Sequence, residues 1–484
     1  MGIIFKQSFR NTLVIYFAFA IGGINTLFLY TRFLEDQYYG LVTFLLSSAN
    51  LLMPLTAFGI QYTIVKFFSS YESKIEKDKF LSMAMFLPLF IAIPLGFLGT
   101  IFYEQIGGFL SKENAIIKDY TFVIYLVAIA TAYFEVFYAW SKVQLKSVFG
   151  NFIKELYNRI VVMVLLFAVF FELISQEEFI YYLTGAYFIR MLIMMLYAFK
   201  LYLPKVSFSL PSNYKEIFRY SAYIILAGSA SAILIDIDKV MIPGKKELEF
   251  AAYYSVAVFI GSVIEAPGRA MGQILQPLTS KALNEKNYKE VHKLYKKSSI
   301  NLALVCGLFF LLVNLNINEL FKLLPEEYSG GVWIVLMISA AKLYTMFLGS
   351  NGAIISNSKY YKILLPYGVT MAIIVGVLNY LMIDWIGING AALSTLIVIL
   401  SFNTLKIWYV KAKFSMMPFT TKTVQILGCL LLIFGAFYFV KFPFHPIINI
   451  GLKSSLISIS YLLLVKRLHI SEDINNLIKR YFKF

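Results

Sequence analysis

Stretches of about twenty apolar residues, broken by short polar segments, recur along the whole 484-residue chain. Backbone placed in hydrocarbon must satisfy every N–H and C=O internally, so runs of this length and frequency demand membrane-spanning helices. Composition agrees, with 59% hydrophobic and 14% charged residues where soluble domains carry about 25% charge and about 45–50% apolar residues. Ordinary soluble enzymes are thereby excluded. A sliding window of about 19 residues places the first seven segments near 11–30, 38–62, 80–103, 117–140, 150–171, 177–200 and 217–241. A second seven lie near 248–276, 298–317, 331–356, 361–383, 388–410, 421–440 and 446–465. The expected fold is therefore an all-α polytopic membrane protein of about fourteen spans. The fourth and eighth segments are the weakest of these as spans, carrying Glu135 in one and Glu265 with Arg269 in the other. Lys6 and Arg10 precede the first run, but that run is too long for a signal core and no small-residue cleavage pattern follows it. It reads as the first span.

Loop charge tests the count independently. Of 43 Lys and Arg residues, 31 fall in alternate loops, both termini included, or in the span ends that flank them, 8 in the intervening loops or their flanking span ends, and 4 well inside spans. One span too many or too few would invert this alternation downstream, so the positive-inside rule favours an even number with both termini cytoplasmic. The formal charge of +16 then reflects cytoplasmic loops beside anionic lipid, and nucleic acid is not needed as a partner. No outer loop exceeds about 15 residues, too short for an extramembrane domain. Two stretches read as amphipathic helices at the membrane surface: Lys281 to Lys297, and a tail with Ile474, Leu477, Ile478 and Tyr481 on one face. Cys306 and Cys429 lie in apolar stretches without metal or redox spacing, and read as core packing.

A weak internal repeat relates the first span to the seventh. Arg10 opens RNTLVIYFAFAIGGINTLFLY and Arg219 opens RYSAYIILAGSASAILIDIDK, each with small residues at its centre; YYGLVTF from Tyr38 and AYYSVAVF from Ala252 follow at similar offsets. Both halves start inside, so the repeat is parallel. It divides the chain into six-helix lobes at 1–205 and 206–415, with two further helices and the tail at 416–484. This six, six and two arrangement, the short basic N-terminus, the YYGLV opening and AYYSVAVF followed by Pro277 resemble the multidrug, oligosaccharidyl-lipid and polysaccharide exporter superfamily. Within it, the chain looks like the O-antigen-flippase branch of polysaccharide biosynthesis proteins. The resemblance implies an inner-membrane flippase that carries undecaprenyl-diphosphate-linked oligosaccharide, such as a lipopolysaccharide O-antigen unit, from the cytoplasmic to the periplasmic face. It implies alternating access between the lobes, a proton or sodium ion for coupling, and polysaccharide polymerase and other assembly proteins as partners.

Ionisable residues far from either interface are costly unless they meet a cavity or a partner. Arg190 lies near the middle of the sixth segment, about 15 Å from either surface at 1.5 Å per residue, and Lys342 is similarly central in the tenth. Each either lines a polar cavity or makes a buried structural contact. Glu265 and Arg269 stand at i and i+4, acid first, and so can neutralise each other. Pro267 and Gly268 between them loosen the helix, and a bend there would make Arg269 more available. Arg190, Arg269 and Lys342 together would supply the charge-assisted donors that a diphosphate needs once it leaves water. Asp236 and Asp238 form a D-x-D, but positions i and i+2 on a helix point about 200° apart. An interfacial salt bridge to Lys239 is therefore the first reading, and ion or proton coupling the second. Glu135 can snorkel or pair with a loop lysine; Asn25 and Asn50 can line a cavity or bond helix to helix.

No G-x-x-x-x-G-K-[ST] loop occurs, and His292, His445 and His469 form no triad or metal set. An enzyme is not expected, nor is a cofactor. Two other functions compete with the flippase. A cation-coupled drug exporter calls for acidic residues at the centre, whereas Arg190 and Lys342 are basic. A membrane-embedded glycosyltransferase or polysaccharide polymerase needs catalytic groups in a sizeable outer loop, and none is present.

Overall fold

The computed structural model describes residues 14–471 apart from Leu145. The basic N-terminus with Lys6 and Arg10, and the amphipathic tail from Ile474 to Tyr481, lie outside the described residues. Among the described residues, twelve helices are long and apolar enough to cross a membrane. In chain order they are Val14–Phe33, Asp36–Thr56, Lys74–Ile101, Ile117–Val143, Gln176–Leu201, Glu249–Gly272, Tyr288–Phe321, Glu326–Phe347, Tyr361–Ile386, Ile388–Phe414, Thr421–Tyr438 and Pro446–Arg467. The remaining two expected segments, the fifth and seventh, are helical as well. The fifth runs through Ser147–Phe152, a π-helical turn Ile153–Tyr157 and Asn158–Phe170, with Lys154, Glu155 and Arg159 polarising its first half. The seventh is the 28-residue helix Tyr214–Met241.

Packing divides the chain into two units, Met1–Ser255 with Leu365–Asp384, and Val256–Leu364 with Trp385–Phe484. In the first, the hub is the fourth span, whose apolar stretch is 72% buried where it packs against the second and sixth spans. Phe134, Phe137 and Trp140 are all buried within it. A helix that is apolar all round belongs in an interior, and the segment that carries Glu135 is the most buried of the twelve. In the second unit, the ninth span packs against the tenth, thirteenth and fourteenth. Cys306 and Cys429 are buried in one cluster there with Leu311, Ile426, Ile433 and Tyr461.

The second and eighth spans break within their expected bounds. The second stops at Thr56, turns through Phe58 and Gly59 at positive φ, and resumes as Ile60–Phe67. Gly59, at φ +64°, takes the left-handed geometry without a Cβ penalty. The eighth consists of Glu249–Ser262, a 3₁₀ turn Val263–Glu265 and Ala266–Asn284. Pro267, at the start of the last piece, removes one backbone donor and relaxes the turn before it. The expected surface helix Lys281 to Lys297 is not one helix. The eighth span ends at Asn284, Lys286 turns at φ 54°, and Asn287 caps a new helix by accepting from the Glu290 N–H. The basic periodicity runs through both pieces, but the Asn cap and the left-handed residue separate them.

Gly40, in the YYGLV opening of the second span, has a backbone reason for its identity. A Cβ there would lie 1.9 Å from the Leu248 carbonyl oxygen, so the helix and the 247–248 loop touch through bare backbone. Gly40→Ala is expected to cost about 1–3 kcal/mol by overpacking, read as a lower thermal midpoint of the purified protein in detergent. Gly185→Ala, with nothing within 4 Å of its Cβ, serves as the control and should leave the midpoint unchanged or raised.

Candidate functional site

In the first unit, Arg190 sits at mid-length in Gln176–Leu201 and is 6% exposed. Its guanidinium lies over Phe134 at 4.1 Å and beside Tyr187 at 5.0 Å from the ring centres. Its Nε is buried without a hydrogen-bond partner, and among the described residues no carboxylate stands within ion-pair distance. Glu135 is the acid whose field reaches it, but that half-buried carboxylate is bound to Lys154 at 2.6 Å. Arg190 is thus a buried cation held by aromatic faces. Such contacts return about 2 kcal/mol when desolvated, less than the several kcal/mol that an intramembrane charge costs.

The two carboxylates of the D-x-D diverge, as helical geometry requires. Asp236 pairs with Lys239 at 3.0 Å and accepts from Ser47 at 3.4 Å and Asn50 at 3.2 Å. Asp238 accepts from Asn379 at 2.6 Å and from the Tyr254 hydroxyl. Both are buried. The salt-bridge reading thus describes Asp236, while Asp238 ties the seventh span to neutral donors on the eighth and eleventh. Asn50, one of the two polar residues singled out in the first spans, joins the Asp236 group. Asn25 instead donates to the Arg159 carbonyl at 2.7 Å and so links the π-helical turn Asn25–Leu29 to the fifth span. It bonds helix to helix.

In the second unit, the bend in the eighth span carries an ion cluster. Glu265 Oε1 accepts from Arg269 Nε at 2.9 Å and from its Nη2, while Oε2 meets Lys342 Nζ at 2.7 Å. The i,i+4 pairing forms, and the bend forms with it. What the sequence does not indicate is that Lys342, on another span, completes the cluster. Two cations share one carboxylate, leaving one net positive charge, and the Arg269 side chain remains 48% exposed.

Two further groups escape sequence reading. Lys406, inside the expected 388–410 segment, stands within Ile388–Phe414 and lines a cavity of about 250 Å³ with Gln276, Thr345, Asn351 and Asn403. Lys453, inside the last span, is buried with its charge acting on Glu319, which also accepts from Lys322 at 2.7 Å and Asn449 at 3.1 Å. A spacing search on one helix cannot find partners that lie on other helices. Only the isolated lysine in an apolar run was available as a signal.

A family model described as polysaccharide biosynthesis protein matches residues 5–267. No curated protein sequence matches the chain. Among solved structures, the chain is similar to lipid II flippase MurJ in its inward closed conformation, with TM-score 0.73 and 15% identity over 95% of this chain and 98% of that one. It is similar to an inward-facing multidrug resistance MATE family transporter with TM-score 0.65 and 14% identity, covering 84% of this chain and 94% of that one. A transporter of the same superfamily from Pyrococcus furiosus follows with TM-score 0.58 and 13% identity, covering 86% of this chain and 96% of that one. At these identities the likeness concerns the fold. With more than half of its length matched by the family model, the chain belongs to the polysaccharide biosynthesis protein family and has the fold of the multidrug, oligosaccharidyl-lipid and polysaccharide exporter superfamily.

Proposed function

We propose that the protein is a flippase for undecaprenyl-diphosphate-linked oligosaccharide in the bacterial inner membrane, with both termini cytoplasmic. The observation that carries this reading is Arg190, a buried cation at mid-length of the sixth span with aromatic neighbours and, among the described residues, no carboxylate of its own. An amphiphile with an anionic diphosphate between a polyprenyl tail and a sugar head supplies what this residue lacks. Arg269 and Lys342 are the cations that the second unit would bring to the same task, with Glu265 fixing their positions. Transport then proceeds by alternating access of the lobes 1–205 and 206–415, driven by a proton or sodium gradient. Glu135, Asp236 and Asp238 are the candidate coupling carboxylates, with Asn50 held on Asp236 and Asn25 packing the first span. Polysaccharide polymerase and other assembly proteins would receive the product.

Binding separates charge recognition from generic lipid affinity. A short-chain prenyl-diphosphate sugar is expected to bind the purified protein about tenfold or more tightly than the matching prenyl glycoside without phosphates, since one charged hydrogen bond contributes about 1.5–3 kcal/mol. Equal affinity for the two, or preference for a small cationic dye, would remove the diphosphate from the account and favour the drug-exporter reading.

A further inference from the structure

The ninth span is one helix of 34 residues, Tyr288–Phe321. At 1.5 Å per residue it is about 51 Å long, whereas about 20 residues cross the hydrocarbon core. Its surplus is basic. Lys289, Lys293, Lys296 and Lys297 stand at i, i+4, i+7 and i+8, with Ile300 next on the same stripe at i+11. That stripe walls a cavity of about 540 Å³, closed on the other side by Lys422 at the start of the thirteenth span and by Ile470 and Ser471 after the fourteenth.

Five lysines line this cavity, and among the described lining residues there is no carboxylate. Glu290 reaches Lys293 at 3.7 Å from outside it, and Lys297 has an interaction of its own. His292 also lines the cavity, its Nε2 buried without a hydrogen-bond partner. At the far end the wall turns apolar through Ile300 and the fully buried Ile470, while Ser471 is bonded to Asn301 at 2.7 Å. Lysines usually fan apart over a surface, because like charges repel and each tip is best hydrated alone. Here the helix stripe and a second span gather them around one concavity, where an anion among Lys289, Lys293, Lys296 and Lys422 would relieve repulsion. The passage from lysine to isoleucine within about one helical turn suits a ligand with a charged head and an apolar start to its tail.

We propose that this cavity binds the phosphate headgroup of an anionic phospholipid, with Lys289, Lys293, Lys296 and Lys422 as donors and Ile300 against the start of the acyl chains. The site is separate from the transported substrate and does not rest on its identity.

The test uses the full-length chain purified in mild detergent and mixed with equal amounts of phosphatidylglycerol and phosphatidylcholine, with co-purifying lipid quantified by mass spectrometry. Enrichment of phosphatidylglycerol by about tenfold or more is expected. It should fall to near parity in Lys289→Gln/Lys293→Gln/Lys296→Gln, and survive in Lys281→Gln/Lys286→Gln/Lys359→Gln, which removes equal charge outside the cavity. Should the pocket variant fail to fold, Lys293→Gln alone, whose side chain is 71% exposed, is expected to lose about threefold. Unchanged enrichment in the pocket variants, or equal loss in the control, overturns the proposal. Inorganic pyrophosphate raising the unfolding temperature as phosphatidylglycerol does, without selective lipid retention, overturns it in favour of a soluble phosphate.

Discussion

Arg190→Ala is expected to slow flipping of a lipid-linked oligosaccharide by about a hundredfold or more, the loss of two charged hydrogen bonds to a diphosphate, while the protein stays as stable as before or becomes more so. The second half of this expectation follows from packing. A structural arginine earns its place through a carboxylate, and removing it strands the partner at a cost of about 3–5 kcal/mol. Arg190 has Phe134 and Tyr187 as neighbours and a buried, unpartnered Nε, so alanine removes a desolvated charge and strands no ion. Loss of transport with a retained or raised thermal midpoint is the pattern of a residue kept for function at the expense of stability. Arg190→Lys should recover part of the rate, since it keeps the charge but loses the planar fork and the stacking. A fall of several degrees in the midpoint of Arg190→Ala would instead make the residue a packing element.

Glu265→Gln is expected to be the most destabilising change in the second unit, by about 2–4 kcal/mol once the exposure of Arg269 is discounted. It leaves Arg269 and Lys342 beside each other without the carboxylate that both contact. Lys342→Met should cost less, because the Glu265–Arg269 pair survives it. Glu265→Gln with Lys342→Met should recover much of the loss, as the remaining cation, Arg269, is half exposed. Thermal unfolding of the four proteins in a double-mutant cycle gives the coupling directly, and strictly additive effects would contradict a shared cluster.

How much of this was readable depends on the range of each interaction. Span positions were legible because bilayer thickness acts on contiguous sequence: segments expected at 177–200, 388–410 and 446–465 are found as Gln176–Leu201, Ile388–Phe414 and Pro446–Arg467. Divergence of Asp236 and Asp238 followed from helical geometry, and the Glu265–Arg269 pair from i,i+4 spacing. The breaks were legible only where a residue announces them. Pro267 marks the bend in the eighth span, whereas the π-helical turns at Asn25–Leu29 and Ile153–Tyr157 carry no such sign. Partners on other helices were not legible. Phe134 beside Arg190, Lys342 beside Glu265 and Asn379 beside Asp238 are set by packing, for which periodicity along one helix holds no information. The amphipathic reading of Lys281 to Lys297 failed for the opposite reason, since charge periodicity persisted across a turn that Asn287 and Lys286 impose.

Flipping in proteoliposomes tests the central claim most directly. Fluorescently labelled undecaprenyl-diphosphate oligosaccharide is placed in both leaflets, and the fraction accessible to a membrane-impermeant quencher is followed with and without an imposed proton or sodium gradient. Protein-dependent translocation that responds to one of the gradients, and is lost in Arg190→Ala, is the predicted result. Folded protein that leaves this lipid in its leaflet under every gradient, yet drives efflux of a small cationic dye, would contradict the account.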